Sequence, residues 1–459
     1  MVPRDDAASL LTQILTSCLA LASVTPAYSA PVLGISVSSL LDPGPKFPYP
    51  DVDPFYTPPS TFEKDKPGTV YRSRQAANAG RGRTGTQILF RTSDAHRKPT
   101  TTISTILKTA ASSNQYLVAY NMYEDAAAPQ CAPSYCFNTN SEKLFCPDGD
   151  GQLNSFMKHG WTVIVTDFEG NNSAFSVGHQ AGYQILDGYR AAINFLGLPK
   201  DVIIGGSGYS GGAIGTGWFA ALHDSYAPEL NIRALAFGGT PTNVASTMIK
   251  VNGGVWAGFA ISGTVGQIAA YPELQPLYSE ISTKKGATAF SNAKEHCGVW
   301  DLAHFAFSDI LSTDFQSLGP ELLYHPLVAK YMQKSVMGSA ATETPKQPSL
   351  FMYHSTSDEV IPYDSALKTA ESWCRNGAKI SFVTEKGFGG HLGTQLAYAS
   401  TAYSWLDEQL RGNMAPLTEC AFTSAIHLAL PIRARKAAGV RAMPRNLAAA
   451  RVLGEESST

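Results

Sequence analysis

The run Val202-Ile203-Ile204-Gly205-Gly206-Ser207-Gly208-Tyr209-Ser210-Gly211-Gly212-Ala213-Ile214 decides the fold. Val202, Ile203 and Ile204 are apolar and β-branched, as suits a buried strand over 202–205, and the Ala- and Gly-rich stretch after Ser210 reads as a helix. Between them, Gly208-Tyr209-Ser210-Gly211-Gly212 is a G-x-S-x-G motif in its meaningful context of strand, sharp turn and helix. Such a turn strains the serine backbone and needs small neighbours, because side chains there would strike the adjoining strand and helix. The helix N-terminus that follows favours negative charge developing beside the serine. The same residues also spell Gly206-x-Gly208-x-x-Gly211, a dinucleotide-binding pattern. That pattern requires an acidic residue at the end of the next strand, where Gly238-Gly239-Thr240-Pro241 stands instead, and Glu229 precedes that strand. The nucleotide reading fails.

A nucleophilic serine needs a base, and the base needs an orienting acid. Downstream, strand 350–354 leads into Ser355-Thr356-Ser357-Asp358-Glu359-Val360-Ile361-Pro362, and strand 380–384 leads into Gly387-Phe388-Gly389-Gly390-His391. The order serine, acid, histidine, each after a later strand, is that of α/β-hydrolases. Ser210, Asp358 and His391 are therefore the expected catalytic set. Glu359 and Asp364 rival Asp358, while His354, inside the acid's own strand, reads as a packed or supporting residue. The expected chemistry is acyl transfer on an ester, with the Gly211 amide as one oxyanion donor and no cofactor or metal.

Working outward, strand-like runs at 87–91, 117–121, 162–167, 202–205, 233–237, 350–354 and 380–384 alternate with helical ones such as 180–198 and 392–410. This alternation predicts an α/β fold, a mainly parallel sheet covered by helices on both faces. Residues 86–239 and 349–430 form the two halves of that core. Residues 240–348 interrupt it with helix-like pieces and an apolar stretch, Val255 to Ile261, and read as a cap over the site. Residues 30–85, with seven prolines between Pro43 and Pro59, read as an extended arm. Residues 431–459 carry Arg433, Arg435, Lys436, Arg441, Arg445 and Arg451 against Glu455 and Glu456 and read as a mobile basic tail.

The whole chain has 459 residues, 44% hydrophobic, with 35 basic against 37 acidic side chains. That balance argues against a nucleic-acid partner. Residues 1–29 read as a secretory signal, with an apolar stretch through Val24 and Ala27-Tyr28-Ser29 at the cleavage point. No other segment approaches the ~20 apolar residues of a membrane span. Cleavage removes Cys18 and leaves Cys131, Cys136, Cys146, Cys297, Cys374 and Cys420, an even set suited to disulfides in an exported protein. No close Cys-x-x-Cys pair suggests zinc. Asn171-Asn172-Ser173 is a glycosylation sequon.

Several segments resemble the fungal secretory lipases: Tyr123-Glu124-Asp125 with Cys131-Ala132-Pro133-Ser134-Tyr135, Asp167-Phe168-Glu169-Gly170, Ile185-Leu186-Asp187-Gly188 and the serine motif itself. So do Ser225-Tyr226-Ala227-Pro228-Glu229-Leu230-Asn231 and Gly238-Gly239-Thr240-Pro241, and the likeness runs from about Asp53 to Cys420. The resemblance implies an α/β-hydrolase with a helical cap and a triad falling on Ser210, Asp358 and His391. It implies a second oxyanion contributor at Asp125, acting through its backbone amide or as a protonated acid. It also implies disulfides Cys131–Cys297 and Cys374–Cys420, which leaves Cys136 and Cys146 to each other.

The expected function is a secreted triacylglycerol lipase whose partner is a lipid ester, met at a lipid–water interface. An esterase acting on a non-lipid ester is the alternative, and a peptidase on the same fold is a third reading. A non-catalytic binding protein on this fold would commonly lack part of the triad, and all three members are present.

Overall fold

The computed structural model describes residues 47–139 and 151–427. The signal segment, the first part of the arm, Cys146 and the basic tail lie outside the described residues.

Among the described residues the chain builds one ten-stranded sheet. Its strands are β1 (Val70–Gln75), β2 (Thr84–Ser93), β3 (Pro99–Lys108), β4 (Ser113–Asn121), β5 (Trp161–Thr166), β6 (Ile203–Tyr209), β7 (Ile232–Gly238), β8 (Ser349–Ser355), β9 (Lys379–Glu385) and β10 (Ala421–Ala425). Their spatial order is β1-β2-β3-β5-β4-β6-β7-β8-β9-β10. The first three pairings are antiparallel and the remaining six parallel. Parallel neighbours need crossover connections, and the helices Gly178–Leu196, Gly211–Tyr226, Tyr363–Arg375 and Gly390–Arg411 supply them. One face packs Ile185, Trp218 and Phe219 against the sheet, and the other packs Phe156, Trp405 and Leu406. The fold is the mainly parallel α/β arrangement that the alternation predicted.

Three strands escaped the sequence reading, for identifiable reasons. β3 reads Pro-Thr-Thr-Thr-Ile-Ser-Thr-Ile-Leu-Lys, too polar for a core strand, yet its middle is buried. Its hydroxyls find partners there: Thr102 donates to the Asp167 carbonyl at 2.7 Å, and Ser104 pairs with Thr166 at 2.7 Å. β1 lies inside the arm expected to be extended, so residues 70–75 correct that reading; it is a half-exposed edge strand held by its pairing to β2. β10 is short and almost wholly exposed, and only its parallel pairing with β9 marks it as a strand. β6 also runs on to Tyr209 rather than stopping at Gly205, since glycines can stay extended where neighbours crowd the backbone.

Between β7 and β8 the chain forms helices and turns with only two isolated bridges. Val244–Val251, Ala257–Ala270 and Pro326–Lys334 are the helices nearest the carboxyl ends of the strands. The insertion has its own core, in which Ile261, Val265, Phe315 and Tyr331 are buried and Tyr271 stacks on Tyr331 at 4.0 Å.

Cys131–Cys297, spanning 166 residues of chain, ties the segment after β4 to this insertion. Beside it, Gln130 Nε2 donates to the Glu295 carbonyl at 2.8 Å. Cys374–Cys420 spans 46 residues and fixes the approach to β10. The pairing expected for Cys136 and Cys146 falls outside the described residues. Closing a long loop removes much entropy from the unfolded chain. Cys131→Ser with Cys297→Ser is therefore expected to lower the unfolding free energy by about 2–5 kcal/mol, measured by urea denaturation. A loss below about 0.5 kcal/mol, typical of a neutral surface change, would contradict this.

Candidate active site

Ser210 sits at the turn between β6 and the helix Gly211–Tyr226, with φ 55° and ψ −124°. A left-handed φ is costly for a serine and is sustained here by crowding around the turn. A Cβ at Gly208 would lie 2.3 Å from the Gly212 carbonyl oxygen, so only glycine lets strand and helix approach this closely. The Ser210 amide donates to the Gly238 carbonyl at 3.1 Å, anchoring the turn to β7.

The structure brings the three expected residues together. His391 Nε2 lies 2.8 Å from Ser210 Oγ, and His391 Nδ1 lies 2.7 Å from Asp358 Oδ2. His391 falls in the first turn of Gly390–Arg411, a helix that starts two residues earlier than its sequence pattern suggests. The Tyr209 hydroxyl donates to the His391 carbonyl at 2.7 Å. Asp358 Oδ1 accepts the amides of Val360 at 2.9 Å and Ile361 at 2.7 Å. Burial opposes ionisation of Asp358, but hydrogen bonds and charge from His354 and His391 outweigh it, and the carboxyl is held well below the usual carboxylate range. Of the rival acids, Glu359 accepts the His391 backbone amide at 2.8 Å rather than its ring. Asp364 is exposed on the first turn of Tyr363–Arg375. His354 is buried in β8 with Nε2 3.2 Å from Asp358 Oδ2.

Asp125 also has a left-handed backbone, φ 52°. Its carboxyl hangs over Gly211: a Cβ on that glycine would lie 1.8 Å from Asp125 Oδ1, which is buried and has no hydrogen-bond partner. Burial pushes the Asp125 carboxyl up to about 7, against an opposing pull from His391. Glu124 and Glu169 are raised well above the usual carboxylate range, first by burial and then by their acidic neighbours. Asp167 is raised by burial to about 7, tempered by hydrogen bonds from Ser134. This group of four buried acids went unread in the sequence beyond the resemblance. Its members lie in two segments, 124–125 and 167–169, that only the ends of β4 and β5 bring together. No group of side chains suited to hold a metal ion occurs among the described residues.

Ser210, Gly211 and Asp125 line an open cavity. Its walls are chiefly apolar and come from the insertion and the loop after β8, including Met248, Phe259, Ala260, Met332, Val360 and Ile361. The arrangement offers a serine hydroxyl paired with a base, an oriented base and a mainly apolar space beside them.

A secretory lipase family profile matches residues 150–417. The secreted triacylglycerol lipase LIP3 of Malassezia globosa is 37% identical over 377 residues, covering 80% of this chain and 82% of its own. The secreted triacylglycerol lipase LIP1 of Malassezia furfur is 34% identical, covering 78% of this chain and 76% of its own. The crystal structure of Candida antarctica lipase A in its closed state is 28% identical, with a TM-score of 0.77, covering 83% of this chain and 91% of that one. With the family profile, these relatives and the α/β-hydrolase fold in agreement, this chain belongs to the secretory lipase family.

Proposed function

We propose that the chain is a secreted triacylglycerol lipase working through an acyl-enzyme on Ser210. The observation that carries this reading is the apolar cavity that opens directly onto the Ser210 hydroxyl. His391 takes the Ser210 proton as Oγ attacks the ester carbonyl, while Asp358 holds the imidazole and stabilises its charged form. The tetrahedral oxyanion is met by the Gly211 amide at the head of its helix and by the protonated carboxyl of Asp125. Collapse breaks the carbon–oxygen bond of the ester, and His391 returns the proton to the departing alcohol. Water, deprotonated by the same histidine, then attacks the acyl-enzyme and releases the fatty acid.

The cavity lies between cap helices and takes the acyl chain, which loses water contact as it enters. Phe388, Leu392 and Leu396 are exposed at steps of four beside His391 and support adsorption to a lipid–water interface. Secretion is supported by two disulfides and by relatives named as secreted.

The test is a panel of p-nitrophenyl esters from C2 to C18 alongside emulsified triglyceride. Cleavage of long-chain esters and of triglyceride is expected. Activity confined to acetyl esters would favour the non-lipid esterase, and peptide cleavage without ester cleavage a peptidase. Gly263 lines the cavity, and a methyl there would make only ordinary van der Waals contacts, with Ser176 Oγ at 3.5 Å, Ser176 Cβ at 3.7 Å and Phe175 Cδ1 at 3.9 Å. Gly263→Leu is expected to fill the space without disturbing the backbone. It should lower kcat/KM for C16 and C18 esters by about ten- to a hundred-fold while sparing C4. An unchanged chain-length profile would remove this cavity as the acyl site.

A further inference from the structure

We propose that His354 is a positioning residue for the catalytic acid, donating from Nε2 to the same Asp358 oxygen that accepts the hydrogen bond of His391. The inference deepens the proposed triad and rests on it. His354 is fully buried at the carboxyl half of β8, four residues before Asp358. Its Nε2 is hydrogen-bonded to the Ile361 carbonyl at 3.4 Å and lies 3.2 Å from Asp358 Oδ2, so the ring proton belongs on Nε2, within reach of both oxygens. Its Nδ1 is buried without a hydrogen-bond partner. Asp358 Oδ1 is already taken by two amides, so Oδ2 is the only carboxylate atom facing the histidines. His354 and His391 share its charge.

Sharing has a direction. A donor on Oδ2 draws charge away from His391 and makes its imidazolium less favourable. Without His354 the carboxylate binds the His391 proton more tightly, the imidazolium persists to higher pH, and the general base is lost earlier on acidification. The other groups facing this relay are the Glu359 carboxylate on the His391 amide, the Tyr209 hydroxyl on the His391 carbonyl and Asp125 across the site. Lys250 Nζ, from the cap, lies 2.5 Å from the Asp358 carbonyl, and the Tyr363 ring packs on His354 at 6.0 Å. All of these remain in the variants below; the leucine variant loses both contacts of Nε2, to Asp358 and to the Ile361 carbonyl, and the glutamine variant restores a donor there.

The experiment compares His354→Leu with His354→Gln, whose amide can donate from near the Nε2 position. A soluble short-chain p-nitrophenyl ester is assayed across pH, with competent sites counted by an organophosphonate serine reagent. In His354→Leu the acid limb of kcat/KM is expected to rise by about one pH unit. That costs about ten-fold in rate below the limb and leaves KM unchanged. His354→Gln is expected to return the limb most of the way. If the leucine protein does not accumulate, His354→Asn, too short to reach Asp358, carries the same expectation. A wild-type limb in His354→Leu, or in Asn as its stand-in, would overturn the proposal. So would a limb in His354→Gln displaced as far as in the non-donating variant. Failure of the triad itself is seen separately, as activity surviving in Ser210→Ala.

Discussion

Replacing Ser210 by alanine is expected to lower kcat by about a million-fold, on p-nitrophenyl butyrate and on emulsified triglyceride alike. The substitution deletes one oxygen and nothing else of consequence. Alanine keeps a Cβ, so the left-handed backbone at this turn is no more strained than with serine, and the unfolding midpoint should hold. What disappears is the atom 2.8 Å from His391 Nε2, and with it the route through a covalent acyl-enzyme. The histidine and acid then have no partner to activate, which is why losses at such sites do not add. Any residual rate would come from the oxyanion donors and the cavity acting on a water molecule, about a thousand-fold or more above the uncatalysed reaction. The measurement is steady-state kinetics with the wild type and variant purified identically. Retention of even a hundredth of the wild-type kcat would remove Ser210 as the nucleophile.

Asp125→Ala is expected to lower kcat by about a hundred- to a thousand-fold with little change in KM, the signature of a lost oxyanion donor. A carboxylate cannot donate, so the protonation state decides whether Asp125 can serve. Its Oδ1 is buried over Gly211 without a hydrogen-bond partner, which leaves the side chain for the oxyanion. Burial raises that carboxyl to about 7, above the ordinary 3.8, so it keeps its proton through the acidic range and loses it as pH rises through about 7. Activity should fall along the same limb, the active form being the protonated one. Asp125→Asn separates the two ideas, because an amide donates at every pH. The asparagine enzyme is expected to retain most of its activity while the alkaline limb near 7 disappears. If the alanine variant keeps a near wild-type kcat, or the asparagine variant keeps the limb, Asp125 does not act through its carboxyl. Phosphonate titration of Ser210 in each variant controls for loss of folded sites.

The residues proposed as catalytic, which the structure brings together, were legible in the sequence because each is announced locally. Ser210 stands in a glycine-framed turn, and Asp358 and His391 each follow an apolar strand-like run by a few residues. Chain order along a parallel sheet places successive strand ends side by side, which is why order alone could select them. The supporting shell carries no such local mark. His354 sits inside a strand, and its 3.2 Å approach to Asp358 exists only because the chain turns back on itself at 356–361. Thr102 and Ser104 looked too polar for a central position until Asp167 and Thr166 satisfied them. Glu124 and Glu169 are 45 positions apart and become one buried pair only when β4 and β5 lie side by side.

By itself, then, the sequence determined the α/β class, which serine, histidine and aspartate come together, and the position of the helical insertion. These follow from periodicity, glycine placement and order, which are properties of neighbours along the chain. Only the tertiary structure decided that the sheet has ten strands, that the insertion and the loop after β8 enclose an apolar space over Ser210, and that Asp125 is dry enough to keep a proton. Burial and charge coupling depend on what packs against a group from distant segments, and no local stretch of sequence encodes them.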